Sequence, residues 1–226
     1  MLQALRKALR NPTAQWSCEG QRLAVHAGLD NKTDVVAVLP TGAGKSAIVT
    51  TLSFLEPGSI TVVLCPLKSL IFDWRRRLSE LKHKYEVFNP QTPKLTGQCP
   101  IVLASLDQSV SHAFSQAIKT LPLGISLRRY VIDEAHLIIT ESSYRSVMQL
   151  VPELRTVPAQ MMVLSATLPP TSVPTLKERC LLMENTTVVR ASSNRPELYF
   201  KPVVELTQLD QWVSVLVSFR FSRVSV

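Results

Sequence analysis

Short apolar runs alternate along the chain with segments whose apolar residues recur at helical spacing. Five runs are almost continuously apolar, which predicts β-strands covered on both faces rather than strands with one face in water. These predicted strands are 34–39, 60–65, 100–105, 129–134 and 160–165. The helical spacing predicts helices over 45–55, 69–82, 108–121 and 144–154.

Regular alternation of strands and helices predicts the fold class. Right-handed crossover connections put the strands in one sheet with helices on both sides, which gives a three-layer αβα domain with a central, mainly parallel sheet. Ligands of such α/β domains bind at the carboxyl ends of the strands. Polar residues that directly follow a predicted strand are therefore the candidates for a functional site.

The first residues, MLQALRKALRNP, are basic and contain no acidic residue. Leu2, Leu5 and Leu9 fall on one face of a helix, so we predict a short amphipathic helix that is ended by Asn11 and Pro12. A transit peptide is the alternative for a basic segment of this kind.

Composition indicates a partner class. The 226 residues are 46% apolar, which is enough for a large core, and carry a net charge of +8 with a pI near 9.6. This charge favours a polyanionic partner, with nucleic acid ahead of an acidic membrane, although solubility alone also explains it.

The four cysteines are scattered without a Cys-x-x-Cys pair, which argues against a structural zinc site and a disulfide framework and favours a reducing compartment. Because no apolar run reaches the roughly 20 residues of a membrane span, we expect no membrane partner.

The segment VLPTGAGKS, after the first predicted strand, has the composition of a phosphate-binding loop. Gly42 and Gly44 allow a tight turn that aims backbone N–H groups at phosphate oxygens. Lys45 can reach the β- and γ-phosphates, and the Ser46 hydroxyl can ligate Mg²⁺. The strict pattern G-x-x-x-x-G-K-[ST] requires glycine where this chain has Leu39. The predicted nucleotide-binding residues of the loop are Pro40, Thr41, Gly42, Ala43, Gly44, Lys45 and Ser46.

The segment VIDEAH follows another predicted strand and ends in acidic residues. Asp133 is the candidate Mg²⁺ ligand, through a water molecule, and Glu134 is the candidate group that orients and polarises the attacking water. Acidic residues that only complement a helix dipole are the alternative. His136 is a candidate for coupling the nucleotide to a second ligand. Lys45, Asp133 and Glu134 form the predicted catalytic set, with ATP and Mg²⁺ as the predicted cofactors.

Two further strand ends carry hydroxyl and acidic side chains. Ser165 and Thr167 lie in LSATLPP, where a hydroxyl-rich helix cap is by itself the more common explanation. Ser105, Asp107 and Gln108 lie in LASLDQS, with the same ambiguity between a cap and a binding site.

The segment CPLKSLIFDWRRRL joins a strand to the helix predicted from residue 69. Lys68, Ser69 and the helix N-terminus are positioned to hold a phosphate of a nucleic acid backbone. Arg75, Arg76 and Arg77 point around more than one face of the helix, so we interpret them mainly as solvated surface.

The motifs PTGAGKS, DEAH and SAT occur in the order found in superfamily-2 helicases of the DEAD/DEAH-box type. The chain resembles RecQ-like DNA helicases, and most closely the divergent RecQ-like group of fungi, over about residues 11–200. The resemblance rests on EGQRLAVHAGLDNKTDVVAVLPTGAGKS, VVLCPLKSLIFDW, VIDEAHLIITESSYRS and VLSATLP. It implies a RecA-like P-loop NTPase domain over 34–192, a helical segment with a glutamine motif over 1–33, and a tail or truncated start of a second domain over 193–226.

The resemblance also implies roles for individual residues. Gln21 lies where the family has the glutamine that reads the adenine edge of ATP, with Gln15 as the less favoured alternative, and Trp16 is a candidate for stacking on the base. The implied nucleic-acid contacts are Lys68, Ser69, Ser105, Asp107, Gln108, Tyr144 and Arg145. The implied residues that couple ATP to DNA are His136, Ser165 and Thr167.

Two features depart from the family. The aromatic-rich loop that follows the DEAH box in RecQ enzymes is LIITESSYRSV here, without a tryptophan. The sequence also contains no counterpart of the second RecA-like domain, with its arginine finger, or of the zinc module and winged helix. Because an arginine finger contributes about 10³–10⁵ in turnover, we expect this chain to bind Mg·ATP and DNA weakly, to hydrolyse ATP slowly and to require a second RecA-like domain, supplied in trans, for unwinding.

Alternative functions remain at this point. A non-catalytic module that binds nucleotide or nucleic acid and regulates a full-length helicase differs from a motor by tolerating loss of Lys45 or Glu134. An unrelated P-loop NTPase is disfavoured by the helicase order of DEAH and SAT. Backbone contacts do not separate RNA from DNA, so DNA follows from the resemblance alone. The expected location is the nucleus, with the cytoplasm as the alternative.

Overall fold

The centre of the molecule is a parallel sheet. The computed structural model describes residues 1–140 and 151–192, which belong to one compact unit, Met1–Ser193. The strands of this part are β1 Val35–Val38, β2 Ser59–Cys65, β3 Tyr85–Val87, β4 Ile101–Ser105, β5 Ser126–Ile132, β6 Gln160–Ser165 and β7 Thr187–Arg190. They lie in the order β3-β4-β2-β5-β6-β1-β7, and every neighbouring pair is parallel.

Helices cover the sheet on both faces. In β1, Val35 and Ala37 belong to one core cluster, whereas Val36 and Val38 belong to the cluster on the other side. Successive side chains of a strand point to opposite faces, so a strand buried on both faces must be apolar throughout. The continuous apolar runs of the sequence have this cause. The prediction of a three-layer α/β domain with a parallel sheet is confirmed.

The α-helices of the described residues connect the strands. They are α1 Leu2–Ala8, α2 Glu19–Asp30, α3 Lys45–Leu55, α4 Lys68–Glu80, α5 Leu106–Ser109, α6 His112–Lys119, α7 Leu137–Thr140 and α8 Val173–Arg179. Two short 3₁₀ segments, Val151–Thr156 and Pro170–Ser172, complete these connections. None of the helices in the described part is long and apolar enough to cross a membrane.

Several predicted boundaries differ from the structure. The single helix predicted over 108–121 is wrong, because the Ser111 hydroxyl accepts the Phe114 N–H at 3.2 Å and starts α6 there as a new helix. The edge strands β3 and β7 were not predicted, since their residues are mostly half-buried or exposed and lack a continuous apolar run. Of the helix predicted over 144–154, only 151–154 lies within the described residues, and it is part of a 3₁₀ segment.

The N-terminal helix α1 packs against α3. Leu5 is fully buried, as its predicted position on the apolar face requires. Leu2 and Leu9 are only half-buried, because Ala4 and Ala8 fill the centre of the contact instead. Small residues allow the two helices to approach closely, which moves the buried face slightly from the leucine stripe.

Two buried ionic networks lie at the amino ends of the strands. Asp34 is completely buried and accepts hydrogen bonds from Arg155 Nη2 at 2.5 Å, from the Met161 N–H at 2.7 Å and from the Met183 N–H at 2.8 Å. Arg129, also completely buried, forms an ion pair with Glu56. A buried charge is stable only when it is paired and hydrogen-bonded, and both groups meet that condition.

The Asp34 network ties β1, β6 and the segment before β7 together. We expect Asp34→Ala to destabilise the protein by about 3–5 kcal/mol, because it leaves Arg155 without its carboxylate and removes the acceptor of the buried Met161 N–H and of the partly buried Met183 N–H. The measurement is the free energy of unfolding in urea. Asp30→Ala is the matched control, since Asp30 forms a 3.2 Å ion pair with Lys32 at the surface and its loss costs at most about 1 kcal/mol. Equal effects of the two substitutions would contradict this role.

Candidate functional site

The candidate residues meet at the carboxyl edge of the sheet. The adjacent strands β2, β5, β6 and β1 all end there, so the segments that follow them become neighbours. β5 ends at Ile132, which places Asp133 and Glu134 just beyond the strand, and β1 ends one residue before Leu39 and the glycine-rich loop. Separate stretches of sequence thus form one site.

The glycine-rich loop has the conformation that its glycines allow. Gly42 and Gly44 have φ of +84° and +72°, in the left-handed region that other residues avoid. A Cβ at Gly42 would meet no atom within 4 Å, so the space next to the loop is open. Leu39, which replaces the glycine of the strict pattern, is completely buried and packs against Gly20 of α2. The leucine is thus part of the core and leaves the loop intact.

Two polar side chains before and within α2 support the loop. The Ser17 hydroxyl donates to the Ala43 carbonyl at 2.6 Å. The Gln21 amide Nε2 donates to the Gly44 carbonyl at 3.0 Å, and its Oε1 accepts the Ser17 N–H at 2.9 Å. Gln21 is only 2% exposed, and in this conformation both ends of its amide bind protein. The reading of adenine by Gln21 stays a prediction, whereas its support of the loop is observed.

The carboxylate of Asp133 is held by two N–H donors. Oδ2 accepts the indole N–H of Trp74 at 2.8 Å, and Oδ1 accepts the Glu134 N–H at 2.9 Å. One lone pair of each oxygen is used, so the orientation of the carboxylate is fixed while further acceptor capacity remains. Burial, together with the charge of Asp133, raises the pKa of the neighbouring Cys65 thiol to about 12. Cys65 is therefore a neutral neighbour at neutral pH.

Glu134 lies between the loop and the strand β6. Its backbone has φ of +44°, a strained value for a residue with a side chain. Oε1 is 4.0 Å from Lys45 Nζ, and Oε2 is 3.3 Å from His136 Nδ1. His136 Nδ1 is also 3.2 Å from the Ser165 hydroxyl, which links the segments after β5 and β6. Glu134 Oε2 is buried and has no hydrogen bond among the described residues, so it can still accept a proton or a hydrogen bond.

These groups line a cleft of about 290 Å³. The predicted residues on its wall are Thr41, Gly42, Gly44, Lys45, Ser46, Asp133 and Glu134. Pro40 and Ala43 of the predicted set do not line this cleft, and the Ala43 N–H donates to the Pro40 carbonyl at 3.1 Å within the loop.

Residues of α4 form another part of the cleft wall, and they were not predicted from the sequence. They are Leu70, Asp73, Trp74 and Arg77. The interpretation of Arg77 as solvated surface is therefore incomplete, because this exposed side chain also lines the cleft. Arg75 and Arg76 are exposed, as expected. The available signal was the helical spacing of Trp74 and Leu78, which are both buried and thereby turn Asp73 and Arg77 toward the loop.

The predicted nucleic-acid contacts divide into two groups. Lys68 and Ser69 are exposed on the first turn of α4. Ser105 is only 1% exposed and forms a capping box with Gln108 at the start of α5, so the alternative of a helix cap applies to both residues. Asp107 is exposed.

The other predicted residues lie apart from the cleft or outside the described part. Thr167 is exposed and lines a separate cavity with Pro169 and Arg190, whereas Ser165 is buried next to His136. Tyr144 and Arg145 lie outside the described residues. The half-buried Trp16 packs against the core cluster that includes Leu39.

The two loop glycines provide a matched test of the Gln21 contact. A Cβ at Gly44 would lie 2.3 Å from Gln21 Nε2, whereas a Cβ at Gly42 meets nothing. Both substitutions to alanine carry the cost of positive φ, about 1–2 kcal/mol. We expect Gly44→Ala to lower the free energy of unfolding by about 1 kcal/mol more, because Gln21 must also move. This difference should disappear in a Gln21→Ala background, and its persistence there would contradict the contact.

Solved structures support the fold. The chain superposes on the DUF1998 helicase MrfA bound to DNA with a TM-score of 0.63 and 19% identity, over 84% of this chain and 29% of that chain. MrfA bound to DNA and AMPPNP gives 0.61 and 17%, over 82% and 28%. The Pyrococcus furiosus Hef helicase domain gives 0.55 and 17%, over 78% and 38%. At these identities the likeness establishes the fold alone, and the chain spans less than a third of the length of MrfA.

A family model gives the assignment that these structures cannot. The model for the DEAD/DEAH box helicase family matches residues 18–176, which include α2, the glycine-rich loop, the DEAH segment and α8 up to Leu176. This match covers well over half of the 226 residues. The protein therefore belongs to the DEAD/DEAH box helicase family, and its parallel α/β domain is a helicase-type motor domain.

Proposed function

We propose that this chain is the ATP- and DNA-binding first motor domain of a RecQ-like DNA helicase. The observation that carries the proposal is the single cleft in which Lys45, Ser46, Asp133 and Glu134 face one another. The glycine-rich loop, the lysine and the two carboxylates are the groups that phosphoryl transfer requires, since its catalysis consists mainly of positioning and electrostatic stabilisation.

The residues of the cleft have distinct roles toward ATP. The loop N–H groups and the N-terminus of α3 bind phosphate oxygens, and Lys45 neutralises the β- and γ-phosphates. Lys45 Nζ donates to the Leu39 carbonyl at 3.4 Å and lies 4.0 Å from Glu134, so it is held at the cleft without a close ion pair. Glu134 orients the attacking water and accepts its proton. Its buried Oε2 leaves that acceptor capacity available.

The site also fits a magnesium ion. Mg²⁺ prefers oxygen ligands and usually keeps several water molecules. The Ser46 hydroxyl and the Asp133 carboxylate are the oxygen donors, with Asp133 acting through a water molecule, and each Asp133 oxygen keeps acceptor capacity beyond the one N–H group that it binds. When bound, Mg²⁺ neutralises charge that develops on the phosphates.

DNA is the proposed polymer substrate. The net charge of +8 favours a polyanion, and the MrfA structures contain DNA. Lys68 and Ser69, which are exposed at the start of α4, are the proposed backbone contacts, together with Asp107, Gln108, Tyr144 and Arg145. The buried Ser105 would act by capping α5, which carries Asp107. His136, Ser165 and Thr167 would link the nucleotide cleft to DNA, and the hydrogen bond between His136 and Ser165 supports this link.

The finer assignment rests on sequence motifs. The order and spacing of PTGAGKS, VIDEAH and VLSATLP support the RecQ-like type, with roles in DNA recombination and repair in the nucleus. We also propose that ATP hydrolysis drives movement along DNA only together with a second RecA-like domain. Translocation requires two domains that open and close with the nucleotide.

Two substitutions in the cleft test the motor proposal. We expect Lys45→Ala to weaken ATP binding strongly, because the β- and γ-phosphates lose their cation. Glu134→Gln should retain binding and lose ATP hydrolysis by about 10²-fold or more, since the water loses its general base. Binding is measured with a fluorescent ATP analogue, and hydrolysis as phosphate release with and without single-stranded DNA. Hydrolysis by the wild type that persists in Glu134→Gln would contradict the assigned role. ATP binding without hydrolysis in the wild type, even with the second domain, would favour the regulatory module.

The Trp74 hydrogen bond gives a second prediction. Trp74→Phe keeps an aromatic ring in the core but removes the N–H donor that orients Asp133. We expect the Mg²⁺ concentration needed for tight ATP-analogue binding to rise about 10- to 150-fold, corresponding to loss of a hydrogen bond to a charged group of about 1.5–3 kcal/mol. Binding of the analogue without Mg²⁺ should not change. The control is Tyr130→Phe, which also removes a polar group from a buried aromatic ring but lies outside the cleft. A similar shift in that variant would show that the effect is not specific to Asp133.

A further inference from the structure

An aromatic side chain stands on the outer face of α4. Phe72 is 66% exposed. Trp74, two residues later, and Leu78, one turn after Trp74, are buried on the other side of the helix. Phe72 lies four residues after Lys68, so the two side chains share one face of the helix. A single exposed aromatic residue needs no explanation by itself, and the neighbours of Phe72 decide what its surface can bind.

Basic and polar groups surround the ring. The Arg75 guanidinium lies 6.0 Å from the centroid of the Phe72 ring, at the outer limit of a cation–π contact. Ser79 Oγ is 3.2 Å from the Tyr85 hydroxyl, and hydrogen bonds from Ser79 and Arg75 lower the pKa of Tyr85 below its usual value. Arg75 thus connects Phe72 to a second aromatic residue on the neighbouring strand β3.

The charge of this face is positive. Arg76 forms a 3.4 Å ion pair with Asp73. Lys68 and Arg75, by contrast, have no carboxylate within ion-pair distance in residues 1–140 and 151–192. Their charges are therefore available to an anionic ligand that approaches Phe72.

We propose that Lys68, Phe72 and Arg75 form a binding surface for single-stranded DNA, in which a base stacks on Phe72 and the flanking phosphates contact Lys68 and Arg75. Proteins that bind single strands combine a positive surface with aromatic side chains on which bases stack. The inference rests on the proposed DNA-binding function. It adds a base contact to the backbone contacts at Lys68 and Ser69.

Accessibility of the bases favours a single strand over a duplex. In a duplex the faces of the bases are covered by their neighbours, whereas unpaired bases can leave the stack and pack against an aromatic ring. The two basic side chains on the same helix face favour nucleic acid over an apolar protein surface, because an apolar partner would leave both charges without a counter-ion.

The position of this surface relates it to the nucleotide cleft. Asp73, Trp74 and Arg77 of the same helix line the cleft, while Lys68, Phe72 and Arg75 face away from it. Trp74 of the same helix donates its indole N–H to Asp133. DNA bound on the outer face of α4 would therefore contact the helix that carries the donor orienting this carboxylate.

A comparison of two oligomers tests the stacking contact. One is a fluorescein-labelled oligothymidylate of about 16 nucleotides, and the other is a labelled abasic strand with the same number of phosphates. We expect Phe72→Ala to bind the oligothymidylate about 5- to 150-fold more weakly than the wild type in fluorescence anisotropy. Its affinity for the abasic strand should not change. Phe54→Ala is the matched control, because Phe54 is also an exposed phenylalanine, 47% exposed on α3. It should bind both strands as the wild type does.

A second variant tests the phosphate contact. Arg75→Gln should reduce the slope of log affinity against log salt concentration by about 0.7, the value for loss of one phosphate contact with a single strand. Circular dichroism and binding of the fluorescent ATP analogue establish that each variant is folded.

The outcomes separate the inference from the proposed function. If Phe72→Ala binds both strands like the wild type, or weakens both equally, base stacking on Phe72 is refuted. An unchanged salt slope in Arg75→Gln would refute the phosphate contact. A wild-type protein that binds neither strand at low salt would refute the proposed DNA-binding function itself. Specific capture of another protein by Phe72 without binding of the oligothymidylate would also overturn the inference.

Discussion

Burial of both faces of the parallel sheet is the constraint on which the rest of this structure depends. A sheet covered by helices on both sides leaves little room for polar side chains along its strands, and those that are buried there, such as Thr61 and Arg129, must be hydrogen-bonded. Most polar groups therefore lie toward the two edges where the strands begin and end. At the amino edge the polar groups bind one another in the hydrogen bonds and ion pairs around Asp34 and Arg129. At the carboxyl edge they remain around a cleft, and that asymmetry separates the stabilising edge from the functional one.

Helix α4 contributes residues to the core, to the cleft and to the outer surface of the molecule. One face packs into the core through Trp74 and Leu78, and an adjacent face supplies Asp73 and Arg77 to the cleft. The outer face carries Phe72 at the surface. The hydrogen bond from Trp74 to Asp133 ties the helix to the carboxylate proposed to hold magnesium. The proposed DNA contact at Phe72 and the carboxylate of Asp133 are therefore connected through one helix.

Local signals predicted the parts of the structure that depend on local chemistry. The continuous apolar runs identified the central strands, because a strand buried on both faces cannot alternate. The helix after the glycine-rich loop was predicted with its observed bounds, 45–55, since its start coincides with the end of the turn at Gly44. Prediction failed where the burial of a strand was weak or where a capping residue interrupted a helical pattern. The edge strands β3 and β7 bury too few side chains to require a continuous apolar run in the sequence. Ser111 caps the start of α6 and so divides the helix predicted over 108–121.

The sequence by itself determined the fold class, the glycine-rich loop after β1 and the acidic pair at the end of β5, because each depends on neighbouring residues. Only the tertiary structure decided which partners these groups have. Ser17 meets Ala43, Trp74 meets Asp133 and His136 meets Ser165 across 26, 59 and 29 positions of the chain, respectively. Periodicity describes one helix or strand at a time, so it does not show which residues far apart in the sequence come into contact. The order of the strands brings these residues together, and it follows from packing the whole sheet between its helices.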